Sequence, residues 1–199
     1  MMIDYLESID RAIVLGVNSW NSPFCDEFMW VVSGKLTWLP FYFLLLVLFY
    51  RKNDVKHSVF FVLGVILAVA IADLSSVHLF KEVFQRYRPS HHTLLVDQLH
   101  FYQIDAENVY KGGQYGFVSS HSANFFAVCT FAFLALRSFY RRISIPLILV
   151  VALIGYSRLY LGVHYLSDVL VGGLIGVIGA VLSYQILFLP LTRKFKTSQ

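Results

Sequence analysis

The stretch Ser157-Arg158-Leu159-Tyr160-Leu161-Gly162-Val163-His164-Tyr165-Leu166-Ser167-Asp168 decides how the chain is read. Apolar runs long enough to cross a bilayer flank it on both sides. Between them stand an arginine, a histidine and an aspartate, which are expensive at membrane depth and are kept there mainly for function. If a helix starts near His164, that residue and Asp168 lie four apart on one face. A carboxylate so placed accepts the Nδ1 proton, fixes the tautomer and leaves Nε2 as a base or nucleophile. Gly162 permits a turn after the preceding helix, which brings Arg158 back beside His164. The plainer reading has His164 and Arg158 snorkelling to a membrane surface, with Asp168 as a helix-start charge.

Composition supports a membrane setting. Of 199 residues, 57% are hydrophobic and only 14% charged, which suits an integral membrane protein better than a soluble core. One domain is expected over residues 1–199. The net charge of +4 does not indicate nucleic-acid binding, because the positives lie in short clusters between apolar runs. Asp4, Glu7 and Asp10 stand where a signal peptide would carry a basic region, so none is expected. Cys25 and Cys129 fall in separate segments, and no disulfide is expected.

A bilayer core needs roughly 20 helical residues. The spacing predicts spans over about 27–50, 56–80, 119–136, 143–161 and 166–189. The first is interrupted by Ser33-Gly34-Lys35 and Pro40, and the second contains Asp73. Residues 3–19 repeat apolar side chains at helical spacing but are too polar to span, so they predict an amphipathic helix at the interface. The expected architecture is an all-α, multi-pass transmembrane bundle of about five spans plus that helix.

Arg51, Lys52 and Lys56 join spans one and two, Arg137, Arg141 and Arg142 join three and four, and Arg193, Lys194 and Lys196 follow five. Nine of the 16 basic residues thus fall on one side, which the positive-inside rule makes cytoplasmic. The long 87–118 loop and the quoted stretch then lie outside, at the periplasmic face if the membrane is a bacterial inner membrane.

Two more polar clusters map to that outer face. Lys81-Glu82-Val83-Phe84-Gln85-Arg86-Tyr87-Arg88-Pro89 closes span two. Lys81 and Arg88 are seven apart, two helical turns, so a continuing helix sets both on one side until Pro89 ends it. Cations without carboxylates between them on that face suit an anion, and arginine suits phosphate; a basic helix cap is the alternative. Gly116-Phe117-Val118-Ser119-Ser120-His121-Ser122 opens span three. Ser119 reads as an N-cap, and the free N–H groups of a helix start favour a phosphate.

Lys81 followed after six residues by Arg88-Pro89, Ser119-x-His121, and Arg158 followed by His164 and Asp168 together resemble the type-2 phosphatidic acid phosphatase superfamily, membrane lipid phosphatases related to vanadium haloperoxidases. The second motif departs from the family, which usually has Pro-Ser-Gly-His where this chain has Val118-Ser119-Ser120-His121. The resemblance implies that His164 attacks phosphorus and forms a phosphohistidine, with Asp168 holding its tautomer. It implies that His121 protonates the leaving group and then activates water, and that Lys81, Arg88, Ser119, Ser120 and Arg158 hold the phosphoryl oxygens. No cofactor or metal is implied. The implied partners are the bilayer and a phosphorylated lipid: undecaprenyl diphosphate, phosphatidylglycerophosphate, phosphatidic acid or a lipid A phosphate.

A haloperoxidase shares the anion cradle but is normally soluble. A non-catalytic lipid-phosphate binder or transport component needs the cations but not both histidines. His91, His92, Asp97, His100, Asp105 and Glu107 crowd the loop without a metal-ligand spacing, so a solvated loop is expected there. A short helix over 94–100 is weakly signalled. Lys35 is expected to snorkel, with contact to a lipid headgroup the alternative, and Asp73 to pair indirectly with the site or a neighbouring helix.

The orientation is testable by labelling. With Asp105→Cys, an impermeant maleimide should react in intact spheroplasts; with Ser198→Cys it should react only after permeabilisation. The reverse pattern would invert the topology.

Overall fold

The structure, a computed structural model, describes residues 2–196; Ser198, the inner labelling position, lies outside them. Among the described residues the secondary structure is helical, with two isolated antiparallel bridges and no strand. Helix α1 is Met2–Asn18, α2 is Pro23–Ser33 and α3 is Leu39–Tyr50. The long helices are α4, Val55–Phe84, and α7, Leu166–Phe195. Between them stand α5, Ser120–Leu136, and α6, Ser144–Tyr160. Both α4 and α7 are long and apolar enough to cross a membrane, and α2 with α3 forms a third candidate bent by 74°. Helices α5 and α6 have 17 residues each, at the short end of what a crossing requires.

The ends of these helices follow the local sequence. Ser22 caps α2, with Pro23 as its first residue. Asp54 caps α4 by accepting from His57 N at 2.8 Å. The α2–α3 elbow falls at Gly34, and its free carbonyls find partners. Thr37 Oγ1 and Trp38 Nε1 donate to Val31 O and Val32 O, each at 2.7 Å. At membrane depth such a break persists only when those groups are satisfied internally. Lys35 sits at this elbow and faces a cavity, where sequence reading had it snorkelling.

Apolar transfer gives little drive between helices in lipid, so close packing must hold them together. Helices α5 and α7 make the broadest contact. Gly172 and Gly176 of α7 face Ala123 and Ala127 of α5 and the Ser119 backbone. A Cβ at Gly172 would stand 2.5 Å from Ser119 O, and one at Gly176 would overlap Ala123 O and stand 2.9 Å from Ala127 N. The main apolar core, including Phe61, Phe131, Leu136, Ile154 and Phe188, runs along α3 to α7. Val59, Val62 and Leu63 of α4 are exposed, as a lipid-facing surface should be.

The basic turns gather at one end. Tyr140 OH donates to Leu48 O at 3.1 Å, and Lys56 Nζ lies 3.3 Å from the Phe195 ring centre. The polar motifs gather at the other end, where the 85–119 segment folds over the helix tips. This segment is more ordered than expected from its length. Arg88 N donates to Gln114 O at 3.0 Å and Gly116 N to Arg86 O at 2.9 Å, around a Tyr87–Tyr115 bridge. Residues 93–98 form turns, in which Leu95 N and Val96 N donate to His92 O and Gln98 N and Leu99 N to Leu95 O, and not the weakly signalled helix over 94–100. Asp105 bonds Glu107 N and Asn108 N, and His100 pairs with Asp26, so these loop residues are engaged locally. Among the described residues no three metal-ligating side chains converge.

Helix α1 forms as its spacing predicts, but it is docked as well as amphipathic. Asn18, 2% exposed, bonds His100 O, His100 N and Tyr160 O. Val14 packs with Leu95, Leu99 and Tyr165.

Gly→Ala changes read this packing. In an exposed helix, alanine is better than glycine by about 0.5–1 kcal/mol, and Gly16 has open space around it. At Gly176 the methyl meets α5 backbone, an overpacking cost of about 1–3 kcal/mol. Gly16→Ala should therefore hold or slightly raise the thermal midpoint in detergent, and Gly176→Ala should lower it. A rise for Gly176→Ala would contradict the α5–α7 contact.

Candidate active site

His164 lies between α6 and α7, one residue before the Tyr165 N-cap. Gly162, at φ +66, makes the turn, and Val163 N and His164 N donate to Arg158 O at 3.2 and 3.3 Å. The turn folds His164 back over Arg158 as its glycine suggested. His164 Nδ1 is 3.3 Å from Asp168 Oδ2, which also accepts from Tyr165 N at 3.0 Å. His164 Nε2 is 3.2 Å from Arg88 Nη1. A guanidinium can only donate, so Nε2 is the acceptor and the proton is on Nδ1. Burial, reinforced by the charges of Arg88, Arg158 and Lys81, holds this imidazole well below the usual histidine range. The ring is neutral at physiological pH, with its lone pair on Nε2.

Arg88 arrives by a different route from the one its spacing indicated. Helix α4 stops at Phe84, and Gln85 takes a left-handed conformation, φ 45. Arg88 therefore stands on extended chain tied to 114–116, not two turns beyond Lys81 on one helix. Its Nε donates to Tyr115 O at 3.1 Å and its Nη1 to Val163 O at 3.3 Å. Gly116 leaves room for it, since a Cβ there would stand 2.8 Å from Arg88 Cγ.

Lys81 ends a π-helical stretch, Ser75–Lys81, of the kind that often marks a functional position. Its Nζ donates to Ser120 Oγ at 2.9 Å, and Ser76 Oγ is 2.9 Å from the same oxygen. Ser120 thus carries a hydroxyl that orients Lys81. Arg158, 2% exposed, bonds Ser33 Oγ, and its Nη2 donates to Tyr110 OH at 3.1 Å. Its buried Nε has no hydrogen-bond partner among the described residues. Among the described residues the hydrogen-bond partners of Lys81, Arg88 and Arg158 are neutral, so three cations converge without a neutralising carboxylate in contact there.

Ser119 caps α5, accepting from Ser122 N at 3.4 Å, and its own N donates to Asp168 O at 3.0 Å. That backbone bond joins the second motif to the third. His121 lies in the first turn of α5, within electrostatic range of His164, Arg88, Arg158 and Lys35. It lines a cavity of about 890 Å³ walled by α3, α4 and α5. Lys35, Asp73, Ser120 and Asn124 edge this cavity, and Tyr42, Leu45, Phe61 and Val65 line it. Asp73 is bound directly by Asn124 at 3.0 Å.

Several residues here were not picked out by the sequence. Arg86 bridges Asp168 and Asp10, while Ser33, Tyr110 and Ser76 orient cations. Only Arg86 had a signal, as a further cation inside the Lys81–Arg88 string.

The PAP2 superfamily profile matches residues 58–190. The chain belongs to the PAP2 superfamily. Among its relatives is a lipid A 4'-phosphatase of Porphyromonas gingivalis, 33% identical over 184 residues, covering 92% of this chain and 75% of the relative. Another is a lipid A 4'-phosphatase of Bacteroides thetaiotaomicron, 33% identical over 185 residues, covering 93% and 80%. In fold, the chain is similar to a transmembrane PAP2-type phosphatidylglycerolphosphate phosphatase from Bacillus subtilis. That match has a TM-score of 0.65 at 21% identity, covering 92% of this chain and 86% of the other. It is also similar to Aquifex aeolicus LpxE, with a TM-score of 0.60 at 26% identity, covering 87% and 93%. With its apolar helices, this PAP2 chain is a membrane protein.

The Ser120 hydroxyl gives a test of the cradle. A hydrogen bond to a charged group contributes roughly 1.5–3 kcal/mol. Ser120→Ala should therefore weaken orthovanadate binding by at least about tenfold, as measured by calorimetry on purified protein. Unchanged affinity would show that Lys81 is held without it.

Proposed function

We propose that this protein is a membrane phosphatase that hydrolyses a lipid phosphomonoester through a phosphohistidine at His164. One contrast carries the reading: His164 is buried against the cations, whereas His121 opens onto the apolar-walled cavity. A phosphoryl group between the two histidines would have its nucleophile on the buried side and its lipid oxygen on the cavity side.

In the first step His164 Nε2 bonds to phosphorus as the bond to the lipid oxygen breaks. His121 gives its proton to that oxygen. Arg88 must leave Nε2 for a phosphoryl oxygen, which is the stronger acceptor because it is charged. The imidazole becomes cationic as it is phosphorylated, and Asp168 stabilises that charge through Nδ1–H. In the second step His121 takes a proton from water, the water oxygen bonds to phosphorus, and the N–P bond breaks. Lys81, Arg88, Arg158 and the α5 N-terminus bear the equatorial charge throughout. Because these groups already supply the positive charge, the reaction is assigned no metal.

The substrate assigned is a lipid A phosphate, supported by two relatives of that name that align over more than nine-tenths of this chain. Five crossings are inferred: the bent α2–α3 pair, α4, α5, α6 and α7. The site then faces the periplasm, opposite the basic turns. One domain over 1–199 accommodates this, because residues before 58 line the same cavity.

Two measurements test the proposal. In mixed micelles with EDTA, phosphate should be released from lipid A faster than from phosphatidylglycerophosphate or undecaprenyl diphosphate. Release that requires Mg²⁺ would overturn metal independence, and no release from any lipid would indicate a binding component. With an aryl [³²P]phosphate, whose phenolate needs little protonation, His121→Ala should accumulate acid-labile, base-stable label on the His164 peptide. His164→Ala should be inactive with every leaving group. Label on His121 in that variant would reverse the assignment.

A further inference from the structure

A fourth cation at this end of the bundle, Arg86, is wired differently from Lys81, Arg88 and Arg158. Arg86 Nη1 donates to Asp168 Oδ1 at 3.0 Å and to Ser167 Oγ at 2.7 Å. Its Nη2 donates to Asp10 Oδ2 at 2.9 Å, and its Cζ lies 4.1 Å from the Tyr165 ring centre. Among the described residues Lys81, Arg88 and Arg158 bond neutral partners, whereas Arg86 is shared between two carboxylates. Its donors are already directed at protein groups, so it is poorly placed to receive an anion.

Asp10 completes the arrangement from α1. Its Oδ1 accepts from Ser167 N at 3.0 Å, and its Oδ2 also accepts from Ser167 Oγ. Ser167 N is one of the free donors in the first turn of α7, so a side chain from another helix caps it. Asp10 is 7% exposed, and a carboxylate so buried requires such partners.

We propose that Arg86, held by Asp10 of α1, is a positioning residue that sets the Asp168 carboxylate and, through it, His164. Asp168 divides its two oxygens. Oδ1 faces Arg86, and Oδ2 faces Tyr165 N and His164 Nδ1. Without Arg86, Oδ1 loses its charged donor and the carboxylate is free to rotate away from Nδ1. Helix α1 thereby contributes to the chemistry without touching the phosphoryl site. This inference rests on the His164–Asp168 reading above.

The test is a double-mutant cycle on phosphate release from lipid A in mixed micelles. Arg86→Gln should lower kcat by about 10–100-fold with KM within about threefold, the pattern for a group that supports the transition state. In an Asp168→Asn background the same change should cost less than about threefold, because coupled residues are not additive. Asp10→Asn should show the same pattern at smaller amplitude, and it serves the cycle if Arg86→Gln fails to fold. Arg11→Gln, which removes only the 2.7 Å pair with Glu7 on α1, is the control and should leave kcat within about twofold. Losses that multiply in the Asp168→Asn background would show a merely structural role and overturn the proposal. So would a raised KM at unchanged kcat, which would make Arg86 a substrate ligand. If Asp168→Asn alone is as fast as the unaltered protein, the nucleophile reading fails and this inference with it; if it is slow but additive with Arg86→Gln, this inference alone fails.

Discussion

A carboxylate with no exposed surface has to be answered by donors, and Asp168 is such a carboxylate. It sits in the first turn of α7, where the helix dipole also favours negative charge. Its donors come from separate parts of the chain: Arg86 from the segment after α4, Tyr165 N from the same helix start, and His164 from the turn after α6. The Asp168 carbonyl accepts from Ser119 N at the α5 cap. One residue thus ties together the ends of α4, α5, α6 and α7. The glycine-mediated approach of α7 to α5 is what makes that bond possible, because Gly172 lies against the Ser119 backbone.

The cations pose the opposite problem. Lys81, Arg88 and Arg158 repel one another, and among the described residues no carboxylate neutralises them in contact. Neutral oxygens hold each in place: Ser120 for Lys81, Tyr115 O and Val163 O for Arg88, and Ser33 and Tyr110 for Arg158. Such partners fix direction without cancelling charge. The unpaired positive charge remains available to an anion, and binding one stabilises the fold by mass action.

Local relations in this protein were legible in its sequence, and distant ones were not. Ser119 as a cap, Gly162 as a turn and the His164–Asp168 pair each depend on neighbours within four residues, so spacing sufficed. The Lys81–Arg88 relation failed as read, because a seven-residue spacing means one face only while the helix continues, and Gln85 ends it. Arg86 and Asp10 are 76 residues apart, and Arg158 and Ser33 are 125 apart. No periodicity encodes such pairs. The break at Ser33-Gly34-Lys35 was legible, but not its 74° bend, which sets Lys35 at the cavity.

Under the proposed function, the division between phosphoryl chemistry and substrate selection follows from which segments reach which part of the site. The PAP2 profile begins at residue 58, and the three motifs all lie within it. The cavity beyond His121 is built in part from residues before that point: Lys35, Tyr42 and Leu45. A phosphoryl group presents the same oxygens whichever lipid carries it, so the cradle cannot distinguish one carrier from another. Selection must come from surfaces that meet the rest of the lipid. Under the proposed function the α2–α3 elbow, bent by 74°, offers such a surface, because Lys35 lines the same cavity as His121. Under that proposal, changes at Lys35, Tyr42 or Leu45 alter which lipid is accepted while leaving the His164, Asp168 and Arg88 contacts intact, whereas Ser33 beside them also holds Arg158.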